Sequence, residues 1–100
     1  MHLVTQKGYI SEKQIEQKLK AMVELLGGKC PKWVAPGLVG VPDRIILLPG
    51  GKIAFVELKA PGQKPRPIQL IRHQELRDLG FQVFVIDSID KIKDMLNEIA

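Results

Sequence analysis

The sequence predicts an α/β domain, a mixed β-sheet flanked by helices with its elements in the order α-β-β-β-α-β-α. The runs Ile45-Ile46-Leu47-Leu48 and Lys52-Ile53-Ala54-Phe55 meet at Pro49-Gly50-Gly51, which reads as two strands joined by a tight turn. Apolar residues recur at helical spacing around residues 11–26, 67–79 and 88–99. A continuous apolar run, Phe81 to Ile86, stands between the last two of these stretches and is strand-sized. The second hairpin strand is apolar on both faces up to Val56, so the sheet is expected to be covered on both sides.

One hundred residues make a single domain, 1–100, with one modest core. A hydrophobic content of 45% beside 26% charged residues is ordinary for a folded soluble chain, and indicates neither disorder nor a membrane span. Met1-His2-Leu3-Val4-Thr5-Gln6-Lys7 lacks the apolar stretch of a secretory signal. The lone Cys30 has no partner for an intramolecular disulfide, and two histidines are few for a zinc site. A reducing, cytoplasmic setting is therefore expected. The net charge of +4 and pI near 9.4 point towards an anionic partner. Between Lys59 and Arg77 there are five basic residues against one acid, whereas residues 78–100 carry five acids against two lysines. The positive field is concentrated in one part of the chain.

Taken in order, Ser11-Glu12-Lys13-Gln14 is a capping-box pattern that opens a helix reaching to about Leu26, where Gly27-Gly28 ends it. Its buried stripe is expected to be Ile15, Leu19, Met22 or Val23, and Leu26. Glu12 shares that face one turn from the helix start, and Glu16 is the next best placed acid. Lys29 to Ala35 reads as a first strand, with Trp33 in the core, before a Pro36-Gly37 turn. After the hairpin, Ala60 to Pro67 is a Pro-rich, basic connection that belongs on the surface. Pro67 starts a second helix, with Ile68, Ile71, Leu76 and Leu79 inward and Gly80 as its stop. Gln69 and His73, four apart, are neighbours on one face of it. Asp87-Ser88 caps a final helix whose stripe is Ile89, Ile92, Leu96 and Ile99. That stripe either completes the core of its own chain or pairs with a second copy.

The hairpin carries the chemistry. If Pro49-Gly50-Gly51 is the loop, paired positions sum to about one hundred, and Asp43 falls opposite Glu57 or within a residue of it. Alternation puts Ile53, Phe55, Glu57 and Lys59 on one face and Ala54, Val56 and Leu58 on the other. Carboxylates side by side raise each other's pKa unless a cation lies between them, and Mg²⁺ is the usual cation for oxygen ligands.

Pro42-Asp43 followed by Glu57-x-Lys59 resembles the PD-(D/E)XK nuclease signature. The wider run Gly40-Val41-Pro42-Asp43, Val56-Glu57-Leu58-Lys59-Ala60-Pro61-Gly62 and Gln69 resembles the virus-type replication-repair nuclease (VRR-NUC) branch of that superfamily. The resemblance implies a restriction-endonuclease-like fold and a metal-dependent deoxyribonuclease. Asp43, Glu57, Lys59, Glu12 and Gln69 would be its catalytic residues. Asp43, Glu57, Leu58 and Glu12 would hold Mg²⁺, with Mn²⁺ as a substitute. Lys64, Arg66, Arg72, His73 and Arg44 would contact DNA.

No helix carries a base-reading pattern and only five aromatics are present, so DNA is expected to be recognised by shape. The resemblance implies structure-selective cutting, four-way (Holliday) junctions included. Without appended DNA-binding domains, a homodimer placing two sites across such a junction is expected, in the cytoplasm of a bacterium or phage-infected cell. The competing expectations are a monomeric flap or single-strand nuclease, a non-catalytic DNA-binding module that keeps the nuclease fold, and an interaction domain whose basic patch binds an acidic protein.

Overall fold

The computed structural model of the chain describes residues 10–99, so the expectation for Met1 to Lys7 lies outside the described residues. Helix α1 spans Glu12–Leu25 and begins with the expected capping box. Gln14 N donates to Ser11 Oγ at 3.1 Å and Ser11 N donates to Gln14 Oε1 at 2.7 Å, which satisfies backbone donors the first turn would otherwise leave open. Ile15, Leu19 and Val23 are its buried stripe, while Leu26 lies just past the helix and is half exposed.

Strands β1 (Arg44–Leu48) and β2 (Lys52–Leu58) form the hairpin, and Gly50 and Gly51 take the positive φ angles its three-residue turn requires. Leu48 pairs with Lys52 and Arg44 with Val56, so extending the register sets Asp43 opposite Glu57. After helix α2 (Pro67–Asp78), strand β3 (Val83–Ile86) pairs parallel with β2, giving the sheet order β1-β2-β3. β2 is therefore the central strand of a mixed sheet.

The segment expected as a first strand does run antiparallel along the open edge of β1. Lys29 and Leu47 exchange backbone hydrogen bonds at 2.9 Å, Ile45 N donates to Pro31 O, and Trp33 N donates to Asp43 O. It nevertheless forms two isolated bridges rather than a strand, because Pro31 has no N–H to return to Ile45. The last strand likewise starts at Val83 and not at Phe81. Phe81 instead packs edge-on against Phe55, with ring centroids 5.4 Å apart.

One face of the sheet, Ile46, Leu48, Ala54, Val56, Leu58 and Ile86, packs on α1 and on helix α3 (Ile89–Ile99) in the main core. Ile92, Met95, Leu96 and Ile99 are all buried there. The stripe of the final helix thus completes its own chain's core, the first of the two alternatives. The other face holds Phe55, Val83 and Leu76, with Trp33 and Ile45 against them.

Helix α2 lies on this second side but not in the expected orientation. Its buried residues are Gln69, His73 and Leu76, whereas Ile71 and Leu79 are 53% and 73% exposed. Spacing of 69, 73 and 76 is a helical face in its own right. Glu57 stands on the sheet beneath it, and a buried carboxylate is better faced by hydrogen-bond donors than by isoleucine. The loop before β1 abuts the start of α2 so closely that a Cβ on Gly40 would stand 2.9 Å from the Ile68 carbonyl oxygen, and Gly40 has φ +88°. Gly40 therefore lets the loop bring Pro42-Asp43 up to the sheet.

Candidate active site

Glu57 is 1% exposed and sits near the end of the central strand. Each of its carboxylate oxygens has its own partners. Oε2 accepts from Gln69 Nε2 at 3.0 Å and lies 3.6 Å from Lys59 Nζ, while Oε1 is 3.3 Å from His73 Nε2. Gln69 is itself anchored, since its Oε1 accepts from Arg66 N at 2.7 Å at the mouth of α2. Asp43 reaches the same place from the other strand, its Oδ2 accepting from Leu58 N at 2.7 Å. Side-chain alternation and hairpin register together produce this convergence.

The electrostatics follow from the burial. Desolvation, reinforced by the negative charge of Asp43, pushes the Glu57 carboxyl up to about 7, and Lys59 only partly opposes this. Burial, and then the Arg77 guanidinium, hold His73 below its usual value, so its imidazole is neutral at physiological pH. Two carboxylates at one point, with one lysine beside Glu57, lack positive charge. The donor set is all oxygen and suits a hard divalent cation.

Among the described residues no three His, Cys, Asp or Glu side chains stand together as a metal cluster. The third carboxylate expected from α1 borders the site instead. Glu12 and Glu16 line an open cleft of about 360 Å³ with Asp43, Val41, Pro42, Lys32 and Trp33. Glu12 is exposed at the start of the helix. Glu16 accepts from Arg44 Nε at 3.0 Å, which ties α1 to the residue beside Asp43. Leu58 has a buried aliphatic side chain, so only its backbone carbonyl can serve a cation.

The fold thus brings Asp43, Glu57, Lys59 and Gln69 together and leaves Glu12 at the rim. Lys64 and Arg66 are exposed on the connection before α2. His73, expected at the DNA, is corrected: it is fully buried beneath α2, where no phosphate can reach it. Two arginines expected at the DNA have structural partners. Arg44 binds Glu16 and the Cys30 carbonyl, and Arg72 binds the Val39 carbonyl at 2.7 Å and Glu75 at 2.8 Å. Sequence reasoning missed that Gln69 and His73 both hold Glu57, although their spacing with Leu76 was a signal. It also missed Lys32 and Trp33 at the cleft, where Trp33 packs on Phe55 with ring centroids 4.9 Å apart.

A Pro-Asp loop and a Glu-x-Lys strand end, converging on the central hairpin of a mixed sheet with helices on both sides, define the PD-(D/E)XK class. No protein-family model matches the chain. It is 54% identical over 81 residues to "Putative nuclease p44" of Acyrthosiphon pisum secondary endosymbiont phage 1, a span of 81% of this chain and 87% of that protein. A solved structure of a VRR_NUC domain matches with a TM-score of 0.81 at 36% identity, covering 86% of this chain and 94% of its own. The chain belongs to the VRR-NUC family.

Proposed function

We propose that the protein is a Mg²⁺-dependent endonuclease that hydrolyses DNA phosphodiester bonds and selects branched DNA, four-way junctions above all, as a homodimer in a reducing cytoplasm. The observation that carries the nuclease reading is the buried Glu57 carboxylate, pushed up to about 7 beside Asp43 and within 3.6 Å of Lys59. Asp43, Glu57 and the Leu58 carbonyl, with Glu12 from the cleft rim, would hold Mg²⁺, and Mn²⁺ would substitute. The cation supplies Lewis-acid polarisation of the scissile phosphate. Lys59 orients the attacking water and balances charge that develops on the phosphate. Gln69 fixes Glu57 and also ties it to Arg66, so the connection that bears Lys64 and Arg66 is held next to the site to receive backbone phosphates.

The dimer reading no longer rests on the final helix. It is supported by the small size of the domain and by apolar side chains left exposed near the site, Leu38 and Val39 in the loop and Leu70 and Ile71 on α2. The test is incubation of the protein with labelled duplex, flap and four-way DNA, with Mg²⁺, with Mn²⁺ and with chelator. Symmetric incision of the four-way substrate that needs either cation is the expected result. Cleavage unaffected by chelator would overturn the metal assignment, and cleavage of flaps alone would overturn the junction preference.

A further inference from the structure

His73 is buried with one of its two ring nitrogens unmet. It is 0% exposed, in a helix whose exposed face carries Leu70 and Ile71. Among the described residues, His73 Nδ1 is the only buried side-chain nitrogen or oxygen without a hydrogen-bond partner. A leucine there would remove the orphaned Nδ1, but it would also take a donor away from the buried Glu57 carboxylate, and that loss costs stability. What the imidazole does have is Glu57 Oε1, 3.3 Å from Nε2.

The other Glu57 oxygen is already served by Gln69 and Lys59. With His73 on Oε1, the carboxylate is gripped at both ends and cannot rotate about its terminal torsion without losing a donor. Each oxygen has more than one lone pair, so this grip still leaves Oε1 free to serve a cation. A proton on Nδ1 would be a buried donor facing nothing and would leave a bare Nε2 against an ionised carboxylate, so the proton belongs on Nε2.

We infer that His73 is a positioning residue: its imidazole, in the Nε2–H tautomer, locks the orientation of Glu57 for the cation. The inference rests on the nuclease reading of the site, but the tautomer it requires can be read without catalysis. The alternative is an ordinary core histidine, whose replacement should cost stability and, only through that, activity.

The experiment compares His73→Leu and His73→Gln with the wild type, whose single other histidine is His2. Gln can present an amide N–H where Nε2 stood; Leu cannot. His73→Leu should melt below the wild type, since the buried carboxylate loses a donor, and well below its own melting temperature it should still cleave roughly tenfold to a hundredfold more slowly at saturating Mg²⁺, the size expected for one lost hydrogen bond to a charged group that the transition state needs. His73→Gln should recover most of the lost rate. Nitrogen NMR of the wild type, at a pH about two units above the Glu57 value, should show His73 protonated on Nε2 and bare on Nδ1. A proton on Nδ1 would overturn the inference. So would a folded His73→Leu chain that cleaves at the wild-type rate well below its melting temperature, or a His73→Gln variant no faster than His73→Leu. A wild type that cleaves no DNA would remove the nuclease reading while leaving the tautomer to judge the lock.

Discussion

A glutamate in the middle of a sheet is an expensive residue to bury, and Glu57 carries the consequences in its titration. An unfolded chain would release this proton near 4.5, whereas the folded site holds it to about 7. The folded state is thus the tighter proton binder, so the stabilisation that the proton gives is complete below about pH 4.5 and is lost as pH rises through about 7. Across that window the metal-free protein should lose stability on the order of 3 kcal/mol, read as a falling melting temperature. Glu57→Gln, which cannot titrate, should flatten the decline. Mg²⁺ or Ca²⁺ should also oppose it, since a cation at Glu57 takes the place of the proton, and its affinity should climb through the same pH range. A metal-free melting temperature that rises with pH from 5 to 8, or a decline unchanged in Glu57→Gln, would contradict this account of the carboxylate.

The connection from Ala60 to Arg66 and the helix it opens act as one element, because Gln69 bonds both to Arg66 N and to Glu57. Replacing Lys64 and Arg66 together with Ala should weaken binding to duplex, flap and four-way DNA alike and lower the salt dependence by up to about two units of slope, which salt titrations of binding would detect. An unchanged slope would take both residues out of the interface. Helix α3 has a different duty: Ile92→Ala should cost about 2–5 kcal/mol in denaturant unfolding without changing the mass in solution, because its stripe lies inside one chain. The elements were unevenly legible in the sequence. Local rules decide a hairpin, so the Pro49-Gly50-Gly51 turn and the alternation of β2 were enough to bring Asp43 and Glu57 together. The orientation of α2 was not legible from hydrophobic spacing, since the partner of its inward face is a carboxylate contributed by a distant strand. Pattern reasoning assigned Ile71 and Leu79 inward, and the requirement to satisfy Glu57 reversed that. The edge segment 29–35 failed to become a strand for a local reason, the proline at position 31.

At the scale of the whole molecule, the carboxylates lie beside an open cleft and exposed basic residues stand on the connection before α2. If two copies act together on a junction, light scattering at micromolar protein should report roughly twice the 11.2 kDa chain mass, and the two incisions should be symmetric. A protein that stays monomeric on a four-way substrate while cutting it at one position would refute the paired arrangement and leave the chemistry standing. That chemistry is tested most directly by one comparison: the Mg²⁺-supported cleavage rate of Asp43→Asn against wild type, with binding of the same DNA measured in Ca²⁺. The substitution is nearly isosteric and removes a single charge from the site. Cleavage should fall by about a hundredfold or more while DNA binding persists or strengthens. A variant that folds, binds DNA and cuts at more than about a hundredth of the wild-type rate would contradict the claim that Asp43 and Glu57 hold the catalytic cation.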